Sequence, residues 1–313
     1  MLRIAQISVH TCPLATLGGK ETGGMNVYVR DLSRELLRRG HQVDVYTRSQ
    51  NPAVARVHHA LGRGGRVIHV PAGPERPYPK HQIVDHLDEF VRGVLAQAEE
   101  DGITYDVIHS HYWLSGWAAR ELRARWGAPI VHMFHTLGRM KDAVAQTPEE
   151  REPPRRIQIE EQIVRFVDRI IAATPAEQEQ LVTLYGADSN RIQVISPGVD
   201  LERFHPIPPT QAKERIGLER TCRTILFVGR IEPLKGIDTL LRAIALVARK
   251  RPELICDLCV PIVGGNPAQV EGNDEMARLQ ALREDLGIGE VVTFIGCLLY
   301  TSDAADDLLC VDL

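Results

Sequence analysis

Two loops of the sequence combine glycines or cations with the start of a predicted helix, which suits a phosphate group. The first loop ends in Gly23 and Gly24, and a helix is predicted to begin near Met25. Glycine lets a ligand approach the backbone closely, and a helix N-terminus offers free N–H groups to an anion. The spacing differs from the dinucleotide pattern G-x-G-x-x-G. A phosphate contact and a plain tight turn therefore both remain open.

The second loop carries two cations. Gly229, Arg230 and Lys235 follow a predicted buried strand and precede another helix. Two fixed positive charges at this point would stabilise the negative charge that develops on a departing diphosphate. A solvated cationic loop is the alternative, but the position of the loop at the end of a strand favours a function.

Four histidines stand at the ends of two neighbouring predicted strands: His109, His111, His132 and His135. One interpretation is a metal site, because His-x-His is typical of zinc ligands, but no carboxylate accompanies these strand ends. The favoured interpretation is recognition of a polar substrate by His135, Thr136 and Tyr112. For His109 and His132, the alternative is a buried histidine with ordinary hydrogen bonds.

Two arginines, Arg155 and Arg156, lie in the first turn of a predicted helix, where positive charge opposes the helix dipole. Either a bound anion or local pairing with Glu160 and Glu161 would offset that charge. The sequence leaves both explanations open.

Short apolar runs alternate with amphipathic helical patterns, which predicts parallel sheets covered by helices on both faces. The predicted strands are 2–9, 42–47, 66–70, 105–110, 129–134, 168–172, 191–195, 223–228, 254–263 and 290–295. The predicted helices begin near residue 25 and cover 80–99, 114–125, 155–167, 175–185, 237–250 and 273–286. Ligands of such sheets bind beyond the carboxyl ends of the strands, where the loops and histidines above lie.

The fold class that follows is α/β, with two doubly wound, Rossmann-like domains facing a cleft and the second domain incomplete. We expect a first domain over 1–200, a linker over 201–222 and a partial second domain over 223–296. Residues 297–313 contain no Lys, Arg, Glu, Gly or Pro. This segment resembles translated read-through of a sequencing adapter, and we expect a non-native tail; a genuine terminus is the alternative.

Composition excludes several classes of protein. The chain has 313 residues, 25% charged, with a net charge of -4, which excludes global disorder and a basic field for nucleic acid. No signal peptide or membrane-spanning run is present, so we expect a cytoplasmic protein. Cys256 and Cys259 are weak evidence for zinc and are better explained as core cysteines of a buried strand.

Taken in order, five motifs over residues 1–296 resemble glycosyltransferase family 4, which has the GT-B fold. They are Gly23–Tyr28, His109–Gly116, Phe134–Leu137, Pro197–Asp200, and Val228–Arg230 with Pro233–Lys235. Within the family, the resemblance is strongest to the inositol-phosphate N-acetylglucosaminyltransferases of mycothiol synthesis, and sucrose-phosphate synthases are similar.

The resemblance implies a retaining hexosyltransferase with a nucleotide-sugar donor, UDP-linked by preference, and a phosphorylated acceptor. Inositol phosphate is the favoured acceptor and fructose phosphate the alternative. The implied donor-binding residues are Gly23, Gly24, Gly229, Arg230 and Lys235, and the implied catalytic residues are His135, Arg230 and Lys235. The implied acceptor-binding residues are Asn26, Lys80, Tyr112, Thr136 and Arg156. No metal or other cofactor is implied, the partners are small molecules, and a homodimer is left open.

One departure from the family pattern bears on activity. The family carries a Glu-x7-Glu element late in the second domain, and the second domain here has no such element. Two alternatives therefore accompany the transferase hypothesis: a metal-dependent hydrolase built on the histidines, and an inactive, truncated module that only binds a phosphosugar.

Overall fold

The computed structural model describes residues 1–15, 23–145, 147–202, 204–215, 217, 222–265 and 274–296. These residues form two compact units, one ending at Gly198 and the other beginning at Val199. Within these residues, each unit has its own sheet and its own hydrophobic packing, with two apolar clusters in the first unit and one in the second.

The first unit is built on an eight-stranded sheet in the order β3-β4-β2-β1-β5-β6-β7-β8. The strands are β1 (Arg3–Ile7), β2 (Gln42–Arg48), β3 (Val57–His58), β4 (Gly65–Val70), β5 (Val107–His111), β6 (Ile130–Met133), β7 (Arg169–Ala172) and β8 (Ile192–Val194). All neighbours pair in parallel except β3 with β4. The carboxyl ends of the parallel strands therefore share one edge of the sheet.

In the described part of this unit, the α-helices beside the sheet are α1 (Gly24–Arg38), α2 (Lys80–Ile83), α3 (Leu87–Glu100), α4 (Tyr112–Trp126), α5 (Gly138–Val144), α6 (Pro154–Phe166) and α7 (Pro175–Tyr185). Successive strand residues belong to different cores. Ile4 packs in the cluster that contains Val29 of α1, whereas Ala5 packs in the cluster that contains Leu114 of α4. Both faces of the sheet are therefore covered, which explains why its strands are almost continuously apolar.

The helix ends follow the signals in the sequence. Thr174 accepts a hydrogen bond from the backbone N–H of Glu177 at 3.1 Å, and Pro175 occupies the first helical position of α7. Gly127 and Gly186 end α4 and α7 with φ of 67° and 65°, a left-handed conformation that favours glycine.

The second unit has a smaller parallel sheet formed by β9 (Arg223–Thr224), β10 (Phe227–Val228), β11 (Leu258–Val263) and β12 (Val292–Gly296). Its helices are α8 (Pro209–Arg215), α9 (Ile237–Lys250) and α10 (Asp274–Asp285). The core is formed by apolar residues of α9, α10, β11 and β12, among them Leu241, Ile262 and Leu279. A 3-10 turn, Pro233–Lys235, connects β10 to α9.

Several predicted boundaries are wrong. The helix expected over 80–99 consists of α2, a 3-10 turn and α3. The strand expected over 223–228 is interrupted between β9 and β10, although both parts keep one register with β11. The strand expected from residue 254 begins at Leu258, because Pro252 starts a 3-10 turn instead.

Further differences concern short elements and one cysteine. Strand β3 and helices α5 and α8 were not predicted, because two to seven residues are too few to show a period. Cys256 is exposed and precedes β11, so the expectation of a core cysteine is wrong there; Cys259 is half-buried. Within the described ranges, no helix has the length and apolar character needed to span a membrane. The predicted tail, 297–313, lies outside the described residues.

Candidate functional site

The carboxyl ends of β5 and β6 bring the predicted substrate-recognition residues together. Ser110 pairs with His132 and His111 with Met133, so the residues that follow each strand emerge side by side. Tyr112, at the start of α4, has φ of 75°, and His135, just after β6, has φ of 60°. Positive φ is costly for bulky residues and concentrates at functional sites. Among the described residues other than glycine, only these two adopt it.

A cluster of neutral histidines lies behind these strand ends. Nδ1 of His111 is 3.1 Å from Nε2 of His135, and the rings of His109 and His111 are 4.2 Å apart between centroids. Ser110 Oγ lies 2.8 Å from Nδ1 of His132. Burial, with smaller contributions from neighbouring histidines, lowers the pKa of His111 and His132 well below the ordinary value. Burial likewise lowers the pKa of His109 to about 4.

His135 is the member of this cluster that is partly open to solvent. Burial is the main reason that its pKa falls to about 3. A neutral imidazole offers one donor and one acceptor, which suits the hydroxyl groups of a sugar. In the part of the chain that the structure describes, no group of three or more histidine, cysteine or carboxylate side chains is arranged to hold a metal ion.

His10 is a site residue that the sequence interpretation missed. It follows β1, the strand between β2 and β5, and its ring lies 4.4 Å from that of Tyr112 between centroids. Burial, with smaller contributions from Lys80, His135 and Arg156, lowers the pKa of His10 to about 3. The signal was available, because His10 also follows a predicted strand at its carboxyl end.

Arg156 contacts two of the other predicted acceptor-binding residues, Thr136 and Tyr112. Its guanidinium is buried and donates to the backbone and side-chain oxygens of Thr136, at 2.8 and 3.1 Å. The same group lies 4.9 Å from the ring centroid of Tyr112. Its Nε donates to Glu160 at 2.7 Å, and its Nη1 lies 3.0 Å from a carboxylate oxygen of Glu152. The local pairing that the sequence left open is therefore present for Arg156.

Glu160 ties this arginine to the surrounding helices. It is completely buried and accepts hydrogen bonds from the backbone N–H of Gly138 at 2.9 Å and from the hydroxyl of Tyr185 at 2.6 Å. Helices α5, α6 and α7 thus meet at one carboxylate. Unlike the buried Arg156, the neighbouring Arg155 is exposed and forms an ion pair with Asp85 at 2.6 Å.

A pocket of about 310 Å³ opens beside this network, entirely within the first unit. Its lining residues are Lys80, His81, Tyr112, Trp113 and Glu150–Pro153. Two predicted acceptor-binding residues, Lys80 and Tyr112, therefore share one cavity. Glu152 also lines it, in an ion pair with Lys141 and beside Arg156. Although burial opposes ionisation, Arg156 and Lys141 hold the pKa of Glu152 below its ordinary value.

At the start of α1, Asn26 forms hydrogen bonds within the protein that hold the loop after β1. Asn26 is buried and donates to Thr11 Oγ1 and to the carbonyl oxygen of Cys12, both at 2.6 Å. Its Oδ1 accepts from the backbone N–H of Gly23 at 3.0 Å. A Cβ added at Gly23 or Gly24 would meet no described atom within 4 Å. Packing against the described residues therefore does not require glycine at either position.

In the second unit, Gly229, Arg230 and Lys235 follow β10 as predicted. Arg230 and Lys235 are exposed, and Arg230 lies 2.9 Å from Glu232. The loop after β11 approaches this segment so closely that a Cβ on Gly264 would lie 1.8 Å from the carbonyl oxygen of Gly229. Gly264 also has φ of 145°, so only glycine suits this position.

Comparison with known families decides the class of protein. The family described as Glycosyltransferase Family 4 matches residues 22–203, more than half of the chain, and the family described as Glycosyl transferases group 1 matches residues 210–302. The chain belongs to glycosyltransferase family 4. The predicted resemblance and the transferase class of the enzyme are thereby confirmed.

Two curated relatives of this family 4 chain carry names that specify an acceptor. D-inositol 3-phosphate glycosyltransferase 2 of Catenulispora acidiphila is 43% identical over 301 residues, which cover 94% of this chain and 68% of the relative. D-inositol 3-phosphate glycosyltransferase of Thermomonospora curvata is 42% identical, over 93% of this chain and 69% of the relative.

Solved structures confirm the GT-B fold class. Sucrose-phosphate synthase of Thermosynechococcus elongatus is 30% identical with a TM-score of 0.82, covering 95% of this chain and 71% of that one. The Anabaena protein HepE, solved in complex with UDP and glucose, has a TM-score of 0.64 at 18% identity, covering 95% of this chain and 70% of that one. None of these comparisons favours the inactive phosphosugar-binding module among the alternatives.

Proposed function

We propose that this family 4 enzyme transfers a hexosyl group, with retention, from a UDP-sugar to a phosphorylated polyol, namely an inositol phosphate. The observation that carries the proposal is the convergence of Lys80, Tyr112, Thr136 and Arg156 on one side of the first unit. The inositol-phosphate acceptor in the names of two relatives at 42–43% identity supports the same choice.

The acceptor side of the proposal rests on charge. A phosphate dianion is bound most strongly by several fixed cations and hydroxyl donors that act together. Lys80 and Arg151 line the pocket, and Arg156 lies 4.9 Å from the ring centroid of Tyr112, with its guanidinium already oriented by Glu160. An unphosphorylated polyol lacks the negative charge that these cations would attract. The enzyme should therefore discriminate strongly between inositol and inositol phosphate.

The donor side rests on the two loops after β1 and β10. In the proposal, Gly23 and Gly24 at the N-terminus of α1 contact the diphosphate, and Gly229 lets the backbone approach it. Arg230 and Lys235 bind the diphosphate and stabilise it as it departs. His135, neutral and half-buried, contacts the transferred sugar.

The proposed chemistry needs no carboxylate base. The acceptor oxygen forms its bond to the anomeric carbon on the face from which the diphosphate leaves, while the bond between that carbon and the diphosphate oxygen breaks. The proton of the acceptor hydroxyl passes to the departing diphosphate. The protein contributes positioning and charge stabilisation, which together account for most of the rate enhancement in such reactions.

The acceptor assignment is tested by measuring UDP release from UDP-glucose and UDP-N-acetylglucosamine in the presence of inositol 3-phosphate or inositol. We expect turnover with the phosphate and a KM for it at least about tenfold higher in Lys80→Ala and Thr136→Ala. Arg155→Ala is the matched control, because Arg155 is exposed and contacts Asp85 rather than the pocket. Equal turnover of inositol and inositol 3-phosphate would refute the assignment.

The donor assignment is tested separately. We expect Arg230→Ala and Lys235→Ala each to lower kcat by about 100-fold to 1,000-fold, the loss that follows removal of one stabilising group from a transition state. Arg242→Ala is the control, since Arg242 is an exposed cation on α9 of the same unit. A kcat unchanged in both loop variants would exclude a role in diphosphate departure.

Fructose 6-phosphate is the second acceptor to test. The 30% identity and TM-score of 0.82 to sucrose-phosphate synthase favour it over other phosphosugars. A kcat/KM for fructose 6-phosphate that exceeds the value for inositol 3-phosphate would replace the proposed acceptor and keep the proposed donor site.

A further inference from the structure

We infer that His111 is a positioning residue that selects the tautomer of His135, so that His135 presents an N–H donor at Nδ1 to the transferred sugar. The contact with the sugar rests on the proposed function, whereas the tautomer is a property of the free protein. His111 itself is completely buried at the end of β5 and has no part in the substrate contacts proposed above.

The distance between the two rings requires that one of them donates to the other. Nδ1 of His111 and Nε2 of His135 are 3.1 Å apart, which is a hydrogen-bond distance. One of the two nitrogens must therefore carry the proton and the other must accept it. Both rings are neutral near pH 7, because burial lowers the pKa of each far below that range. Two arrangements are therefore possible: His111 donates and His135 accepts, or the reverse.

The remaining nitrogen of His111 decides between them. Its Nε2 is buried and has no hydrogen-bond partner among the residues that the structure describes. If His111 donated through Nδ1, Nε2 would be a bare acceptor. If His111 accepted at Nδ1, Nε2 would carry an N–H without a partner. A buried N–H without a partner is rarer than a buried acceptor without one, so His111 donates.

Packing fixes both rings in this arrangement. The ring of Tyr28 meets His111 and His135 edge-on, at centroid distances of 5.9 and 5.3 Å. The backbone of His135 is held at φ of 60°, which restricts where its side chain can point. The His111 donor, the Tyr28 ring and this turn therefore all restrict the imidazole of His135.

The tautomer of His135 determines whether its Nδ1 can donate or accept a proton. With Nε2 accepting from His111, the proton of His135 resides on Nδ1, and this nitrogen can only donate. His135 would then bind the oxygen of a sugar hydroxyl and could not remove a proton from it. The inference thus assigns His135 to recognition and charge stabilisation, and it excludes proton abstraction by its Nδ1.

The experiment reads the tautomer directly from the 15N spectrum of histidine-labelled protein without substrate. The His135 signals are assigned by their loss in His135→Gln. In the wild-type protein we expect protonated Nδ1 and unprotonated Nε2 at His135. The opposite pattern in the wild-type protein would overturn the inference without any variant of His111 being needed.

Two variants of His111 separate positioning from packing. His111→Asn places an amide N–H near the position of Nδ1, whereas His111→Leu fills similar space without a donor. We expect the asparagine variant to keep the wild-type tautomer and kcat, and the leucine variant to shift His135 to the Nε2–H tautomer. The leucine variant should also lower kcat about tenfold at unchanged acceptor KM, as loss of one hydrogen bond to the transferred sugar would.

The outcomes distinguish this inference from the proposed function. An unchanged tautomer in His111→Leu refutes the role of His111, whatever the activity. A tautomer that shifts as expected while the wild-type enzyme shows no transferase turnover supports the role of His111 and refutes the proposed function. A shifted tautomer with unchanged kcat refutes the sugar contact of His135 through Nδ1.

Discussion

Replacement of Glu160 by Gln should destabilise the first unit severely, because this carboxylate compensates a buried guanidinium. Glu160 and Arg156 are 0% and 1% exposed as side chains, and their atoms lie 2.7 Å apart. Glutamine has nearly the same shape but no charge. Its amide nitrogen is a donor and would replace one of the two carboxylate oxygens. In one orientation this donor faces the guanidinium of Arg156, and in the other it faces the N–H of Gly138 and the hydroxyl of Tyr185, which are donors in the wild-type protein.

The size of the destabilisation depends on the partners that Arg156 keeps in the variant. Removing one member of a buried ion pair costs about 3–5 kcal/mol, because it leaves a charge without compensation. Glu152 stays 3.0 Å from Nη1 of Arg156 and compensates part of that charge, so we expect the lower end, about 3 kcal/mol. For a unit of this size, about 3 kcal/mol corresponds to a fall in Tm of roughly 6–12 °C.

Tryptophan fluorescence can follow this unit alone. The chain has three tryptophans, at positions 113, 117 and 126, and all lie in α4. Glu161→Gln is the matched control, since Glu161 is the next residue, is partly exposed and pairs with Arg139. Such a surface pair contributes at most about 1 kcal/mol. Thermal melts in which Glu160→Gln falls no further than Glu161→Gln would refute the reasoning.

Three further predictions concern other parts of the molecule. Gly264→Ala should abolish folding of the second unit or lower its Tm strongly, since the added Cβ would lie 1.8 Å from a backbone carbonyl oxygen; a wild-type melt by circular dichroism would contradict this. Burial lowers the pKa of His10 and His135 to about 3 from 6.5, so the unfolded state takes up their protons first as pH falls. Each should therefore reduce the unfolding free energy by about 1.6 kcal/mol in total between pH 6.5 and 5, seen as a lower urea midpoint; equal midpoints at the two pH values would count against it. Glu152→Gln should strengthen binding of inorganic phosphate, measured by calorimetry, because the variant removes a carboxylate beside Arg156; weaker binding would mean that Glu152 orients the arginine instead.

The sequence predicted long elements well where local chemistry marked their ends. Helix α7 was predicted with its observed bounds, because Pro175 and Gly186 signal its start and its end. Helix α9 was predicted equally well from its apolar period. The break between α2 and α3 could not be predicted, since neither proline nor glycine interrupts the chain between Ile83 and Leu87.

The candidate site was predictable in its parts but not in its connections. Strand ends pointed to His135 and Tyr112, and the helix start pointed to Arg156. The contact between His111 and His135 depends on the register of β5 against β6, which no local pattern encodes. The pairing of Glu152 with Arg156 depends on how the chain enters α6, and this entry follows a 3-10 turn that the sequence did not signal.

The shared carboxylate of Glu160 has a consequence for how this enzyme can diverge. A guanidinium at position 156 and a carboxylate at position 160 are each costly in a buried place without the other. Single substitutions at either position should therefore be purged, and relatives that lost one charge should have lost both. Because Arg156 also contacts Thr136 and Tyr112, a lineage that abandons this pair would alter the proposed acceptor pocket and the anchoring of three helices in a single evolutionary step.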